Sequence, residues 1–272
     1  MKLIKLITLL TVCVGITNAQ QTPAKKQSKA IAIIGATTHI GNGEVISNSL
    51  VSFNKGIIES IALYTGSEDL SKMKVIDATG QHIYPGFIVA NSTLGLIEID
   101  AVRATDDDQE IGTWNPHIRS LIAYNAESKV VESMRPNGVL LAQVTPRGGR
   151  ISGTSSVVQL DAWNWEDAVI KSDNGIHLNW PRILSRGRWR LGEDRGLKSN
   201  PKYSSQVAEI DSYFKGAKAN SNTTEGLQNL PLAAMKGLFD SSKTLFIHVN
   251  TEKAIMDAVE FTKQQALTKV VI

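Results

Sequence analysis

Between residues 30 and 85 apolar and polar positions alternate over short runs broken by turn residues. Residues 30–36, 45–53, 57–63, 74–77 and 82–84 read as strands, because a period of two turns one side of a strand to a core and the other to water. Gly41-Asn42-Gly43 and Asn54-Lys55-Gly56 separate them, and these residue types tolerate the backbone of tight turns. The pattern predicts a small β module.

From Gly86 onward the pattern changes to strands alternating with helical stretches. Residues 87–90 form a short apolar strand. Residues 127–137 read as a helix with Val130, Val131 and Met134 on one face, closed by Asn137-Gly138. Residues 139–144 are an apolar run expected to be covered by helices on both faces, and 155–160 form a further strand. Helices are predicted over 201–219, with Val207, Ile210 and Phe214 near helical spacing, over 230–239, and over 251–265, which carries Ile255, Val259 and Thr262. Strands are predicted at 244–249 and 269–272. This alternation argues a parallel α/β sheet or barrel. A complete (β/α)8 barrel takes about 250 residues, more than follow residue 86 in this 272-residue chain. The chain is therefore expected to be the N-terminal portion of a longer protein.

Residues 1–19 read as a secretory leader. Lys2 and Lys5 precede an apolar stretch over 6–16, and Thr17-Asn18-Ala19 places small residues for cleavage. The stretch is shorter than a bilayer span. The protein is thus expected to be exported, periplasmic or extracellular, with no membrane anchor after cleavage. Residues 20–29 form a polar linker with Pro23, Lys25, Lys26 and Lys29. Cys13 is the only cysteine and lies in the leader, so the mature chain has neither disulfide nor thiolate chemistry. The net charge of +3 falls to +1 without Lys2 and Lys5. No basic stripe interleaved with aromatics points to nucleic acid.

Two phrases carry a resemblance. Val75-Ile76-Asp77-Ala78, Gly80 and Pro85-Gly86-Phe87 resemble the passage of the amidohydrolase superfamily from a small β-sandwich into its first barrel strand. Thr113 to Arg119, Ala126-Glu127-Ser128, Pro146 and the run Gly148 to Ser156 resemble the imidazolonepropionase-like branch, as does Leu245 to Asn250. The resemblance implies a small N-terminal β-sandwich over 30–85, followed over 86–272 by a (β/α)8 TIM-type barrel truncated after about strand five or six. It implies hydrolysis of a carbon–nitrogen bond other than a peptide link, as in a cyclic amide. The alternative is a catalytically inactive barrel that binds a ligand or a partner subunit.

The family delivers a His-x-His pair to metal from its first barrel strand. Here those positions read Asn91 and Thr93, and neutral oxygens replace imidazoles poorly at zinc. A two-metal site is not expected. One divalent metal such as zinc, held by His248 and by residues past Ile272, is what the resemblance allows, with His248 as ligand or catalytic base. The residues alone leave His248 open between a ligand and a buried histidine. Asn91, Thr93 and His117 are candidate substrate contacts, and Arg147 and Arg150, flanking Gly148-Gly149, are candidates for a substrate carboxylate. His39 and His82 read as surface or sandwich residues, and His177, which could close a strand at the active-site face, reads as structural. Asp106-Asp107-Asp108 with Glu110 lacks the alternation of a calcium loop and reads as a solvated loop. So does the tract Arg182, Arg186, Arg188, Arg190 and Arg195 around Trp180 and Trp189. The expected partners are a small-molecule substrate and a second copy or a sister amidohydrolase subunit.

Overall fold

The computed structural model describes residues 22–186, 196–221 and 229–272. The leader at 1–19 and Arg188, Trp189, Arg190 and Arg195 lie outside the described residues. The chain divides between Phe87 and Ile88 into two compact units.

The first unit is a sheet of β1 (Ile31–His39), β2 (Val45–Asn54), β3 (Ile57–Leu63), β4 (Lys74–Asp77) and β5 (His82–Ile83). Its order is β3-β2-β1-β4, with β5 also on β1. β1, β2 and β3 are antiparallel neighbours, whereas β4 and β5 run parallel to β1. The β2–β3 hairpin turns through Lys55 and Gly56 at φ 49° and 78°, the paired left-handed conformation that matches strand twist. Ala32, Ala36, Leu50 and Val51 are buried. The buried Ser49 hydroxyl meets Thr38 Oγ1 at 2.6 Å and donates to the Ala36 carbonyl at 2.9 Å, so no polar group is stranded there.

The second sheet takes in β6 (Phe87–Ser92), β7 (Val139–Val144), β8 (Ile151–Gln159), β9 (Val169–Asn179), β12 (Thr244–His248) and β13 (Val270–Val271). A separate hairpin pairs β10 (Leu184–Arg186) with β11 (Leu197–Ser199). The sheet order is β13-β12-β9-β8-β7-β6, and the whole is a mixed α/β structure with a sheet curled into a half-barrel. The helices are α1 (Ser120–Ala123), α2 (Lys129–Met134), α3 (Trp165–Ala168), α4 (Tyr203–Ser221), α5 (Leu230–Ala234), α6 (Lys236–Phe239) and α7 (Glu252–Gln264).

The expectation of an all-parallel sheet is corrected. β9, β12 and β13 are parallel neighbours, but β8 is antiparallel to both β7 and β9. The link over 145–150 is the cause: a parallel crossover needs a dozen or more residues, so so short a link turns the chain straight back. β7 consequently pairs with a hairpin partner and carries the buried Gln143 on one face.

Two predicted helices are shorter or broken. The Ser128 hydroxyl accepts from Val130 N at 3.2 Å and from Val131 N at 3.5 Å, which starts α2 at Lys129. Pro136 lacks an N–H, and the chain finishes as a 3-10 turn that ends at Gly138 in the left-handed region. The stretch 230–239 divides into α5 and α6 around Met235. Among the described residues no helix is long and apolar enough to cross a membrane.

Alternation along β9 and β12 sets the two faces of this sheet. Ile176, Leu178, Leu245 and Ile247 enter a core with Ile210, Phe214 and Ala217 of α4 and Ala254, Ala258 and Phe261 of α7. The intervening residues, Gly175, His177 and Asn179 on β9 and Phe246 and His248 on β12, therefore point to the opposite, concave face.

Candidate functional site

β9 and β12 run parallel with His177 opposite Phe246 and Asn179 opposite His248. This register brings His177 Nδ1 to 2.9 Å from His248 Nε2. The His177 ring stacks on Phe246 with centroids 4.8 Å apart, and it meets His248 edge to edge through this hydrogen bond, with centroids 5.2 Å apart. Gly175 makes this layer possible: a Cβ there would lie 2.6 Å from the Phe246 ring and from Ser155 Oγ. The pair stands at the C-terminal ends of parallel strands, the end at which barrel enzymes place their chemistry.

Arg147 defines the electrostatics. Its guanidinium donates to Asn91 Oδ1 and to the Asn91 carbonyl, both at 2.7 Å. Asn91 sits at φ 52°, and its N–H donates to Gln143 Oε1 at 3.2 Å, while Gln143 Nε2 donates to Ser155 Oγ at 3.2 Å. Burial pushes the His177 imidazole down to about 3, with the neighbouring His248 and the Arg147 charge acting in the same direction. Burial and then Arg147 also lower His248. Both rings are thus neutral at pH 7, one donating its N–H to the lone pair of the other. His177 Nε2 is buried with no hydrogen-bond partner.

This arrangement makes folding acid-sensitive. An unfolded His177 takes up a proton below its ordinary value of 6.5, whereas the folded one refuses it until about 3. The contribution is complete above pH 6.5 and is lost as pH falls from there, at about 1 kcal/mol per pH unit. Urea midpoints measured between pH 7 and pH 5 should fall in the native chain and fall less steeply in His177→Leu. Equal slopes in the two chains would contradict the linkage.

The other sequence candidates lie as follows. Arg150 donates Nη1 to the Asn179 carbonyl at 2.7 Å and its N–H to the Thr113 carbonyl at 2.6 Å, fastening the start of β8. Burial lowers it, with Glu209 opposing. Thr93 is half-buried, and its carbonyl accepts from Leu96 N and Ile97 N. His117 is exposed and lines a cavity of about 400 Å³ with Asp107, Asp108, Glu110 and Arg119. None of His177, His248 and Arg147 lines that cavity. Asp108, which the sequence places in a solvated loop, is buried, and desolvation raises its carboxyl. The structure therefore joins His248, Arg147 and Asn91, and adds His177, which the sequence reading treats as structural. The signal for His177 is the alternation Gly175, His177, Asn179 opposite Ile176 and Leu178.

A hydrolytic metal does not fit the described donors. Among the described residues no group of three or more His, Cys, Asp or Glu is placed to hold an ion. Two imidazoles are half of a zinc set, and here their facing nitrogens satisfy each other. The Arg147 guanidinium already places a positive charge in their field, which the Asp108 carboxylate offsets in part.

No protein-family model and no curated protein matches the chain. Among solved structures, an amidohydrolase from Thermotoga maritima MSB8 superposes with a TM-score of 0.72 at 18% identity, covering 89% of this chain and 63% of that one. The chain shares the fold of that structure. It spans less than two thirds of the length of that structure. A prolidase complexed with N-methylphosphonate-L-proline aligns at 12% identity over 89% of this chain and 60% of that one, with a TM-score of 0.42.

Proposed function

We propose that the whole protein hydrolyses a carbon–nitrogen bond other than a peptide link, in a small or cyclic amide, at the concave strand ends of the second unit. The supporting observation is the neutral His177–His248 pair beside Arg147 on an amidohydrolase fold. In this reading the architecture is a small β-sandwich followed by the opening strands of a TIM-type barrel, of the imidazolonepropionase-like branch. Export by the leader belongs to the same reading.

His248 is half-buried and neutral, and in the tautomer that donates its Nε2–H to His177 Nδ1 its Nδ1 lone pair is free to act as a general base. It takes a proton from water as the water oxygen bonds to the carbonyl carbon. The Arg147 charge offsets the negative charge that develops on the carbonyl oxygen. His248 then returns the proton to the leaving nitrogen as the carbon–nitrogen bond breaks, giving an acid and an amine. His177 orients His248, and Asn91 holds Arg147. A metal, if the whole protein binds one, needs donors in addition to these two imidazoles.

A second reading, a barrel that binds a ligand or partner without turnover, is favoured by one observation: Asn91 holds a fixed cation beside the histidines in place of a ligand set. The full-length protein, assayed by NMR against small and cyclic amides with its metal content measured alongside, separates the two. Hydrolysis that His248→Ala abolishes supports the first. Saturable binding with no new carboxylate signal supports the second and rejects the first.

A further inference from the structure

The first unit carries a second pair of facing imidazoles, in an environment opposite to that of the buried one. His39 ends β1 and His82 begins β5, and the parallel pairing of Thr37 with His82 and Thr38 with Ile83 fixes their spacing. His39 Nε2 lies 3.0 Å from His82 Nδ1. The Tyr84 ring stacks on His39 at 4.4 Å and 10°, which fixes the His39 ring plane. Pro85 in turn backs the Gly41 turn, where a Cβ would lie 3.3 Å from Pro85 Cγ. His39 is half-buried and His82 is exposed, so water reaches the pair.

From this geometry we infer that His39 and His82 form a surface site for a borderline divalent cation such as Cu(II), Ni(II) or Zn(II). Two nitrogens on one tetrahedral metal at about 2.0–2.1 Å stand about 3.3–3.4 Å apart. The ring centroids stand 5.2 Å apart, so the two near nitrogens face each other head-on; to aim both lone pairs at one tetrahedral ion the nitrogens part by a few tenths of an ångström and each ring turns by about 35° within its own plane. Binding replaces the shared N–H: the donating ring keeps its proton on its far nitrogen, and both near nitrogens offer lone pairs. Imidazole is a ligand these cations prefer, with Cu(II) bound most tightly of the three. Solvent completes the coordination from the open side. The buried pair differs because Arg147 acts on it, and burial excludes that solvent. The inference is independent of the proposed hydrolysis.

Cu(II) titrated into the full mature chain without an affinity tag provides the test, followed by calorimetry and electron paramagnetic resonance. One site per chain with nitrogen splitting from two imidazoles is expected. His39→Ala or His82→Ala should weaken it by about tenfold or more, since even outer partners of a metal ligand are worth about 10–100-fold. His248→Ala should leave it unchanged. Circular dichroism of each variant shows whether the sheet is retained. A spectrum with fewer than two nitrogens, or a loss that follows His248 instead, overturns the site without reliance on the first-unit variants.

Discussion

Truncating Phe214 to alanine is expected to cost the second unit about 3–5 kcal/mol of folding stability, the usual range for a buried aromatic. Phe214 is fully buried on α4 and meets Phe261 of α7 edge-on, with ring centroids 5.0 Å apart at 85°. Its cluster includes Ile176, Leu178, Leu245 and Ile247, the residues that alternate with His177 and His248 along β9 and β12. A cavity there loosens the layer that keeps the two histidines in register. Met256, on the same α7 but 64% exposed, provides the control: Met256→Ala should fall within about 0.5 kcal/mol of the native chain. Urea unfolding of the two variants makes the comparison, and equal midpoints would show that the cluster is not the core of this unit. Phe214→Leu should recover much of the loss, since it refills most of the volume.

Replacing His248 with alanine is expected to lower turnover by about 10²–10⁴, the contribution of a positioned general base. The pH profile distinguishes this role from a purely structural one. A general base works in its neutral form, so activity rises with pH through its titration. Burial and Arg147 lower the His248 imidazole, which places the acid limb of kcat/KM below pH 6.5. Removing the cation with Arg147→Met takes away the second of those causes, and the acid limb should move to higher pH. The same substitution leaves both oxygens of Asn91 without the guanidinium, so kcat should fall as well. A limb that stays in place in Arg147→Met, or His248→Ala turnover equal to that of the native chain, would remove His248 from the chemistry.

The first unit was legible because its strands alternate cleanly and its turns carry asparagine and glycine. The strand ends at His248 were legible for the same reason, since Thr244–His248 is short, apolar and followed by a helix. β9 was not. Its sequence VIKSDNGIHLN places polar residues where a strand buried on both faces has apolar ones, because its concave face is a polar surface. The reversal of β8 left no trace in hydropathy: antiparallel and parallel strands bury similar side chains, and only the shortness of the 145–150 link marks it. Arg147 shows a different limit. Its charge and its glycine neighbours suggested a free ligand for a carboxylate, whereas the structure gives it two oxygens of Asn91. Sequence spacing cannot report a contact between residues that distant in the chain.

The reversal of β8 has a consequence for how this rim recognises anything. In a fully parallel barrel each strand ends in its own long loop at the chemical end, and such loops are free to rearrange on binding. Here β7 and β8 share one tight connection, which carries Arg147 and is fastened at both sides, by Arg147 N to the Asp108 carbonyl at 2.6 Å and by Asn179 Nδ2 to the Gly148 and Gly149 carbonyls at 3.1 Å. The cation at this site is therefore presented by a stiff arch, and a ligand that fits it loses little to the ordering of the protein. Selectivity at this edge then follows from shape fixed in advance, with the adaptable part of the rim left to the longer connections elsewhere.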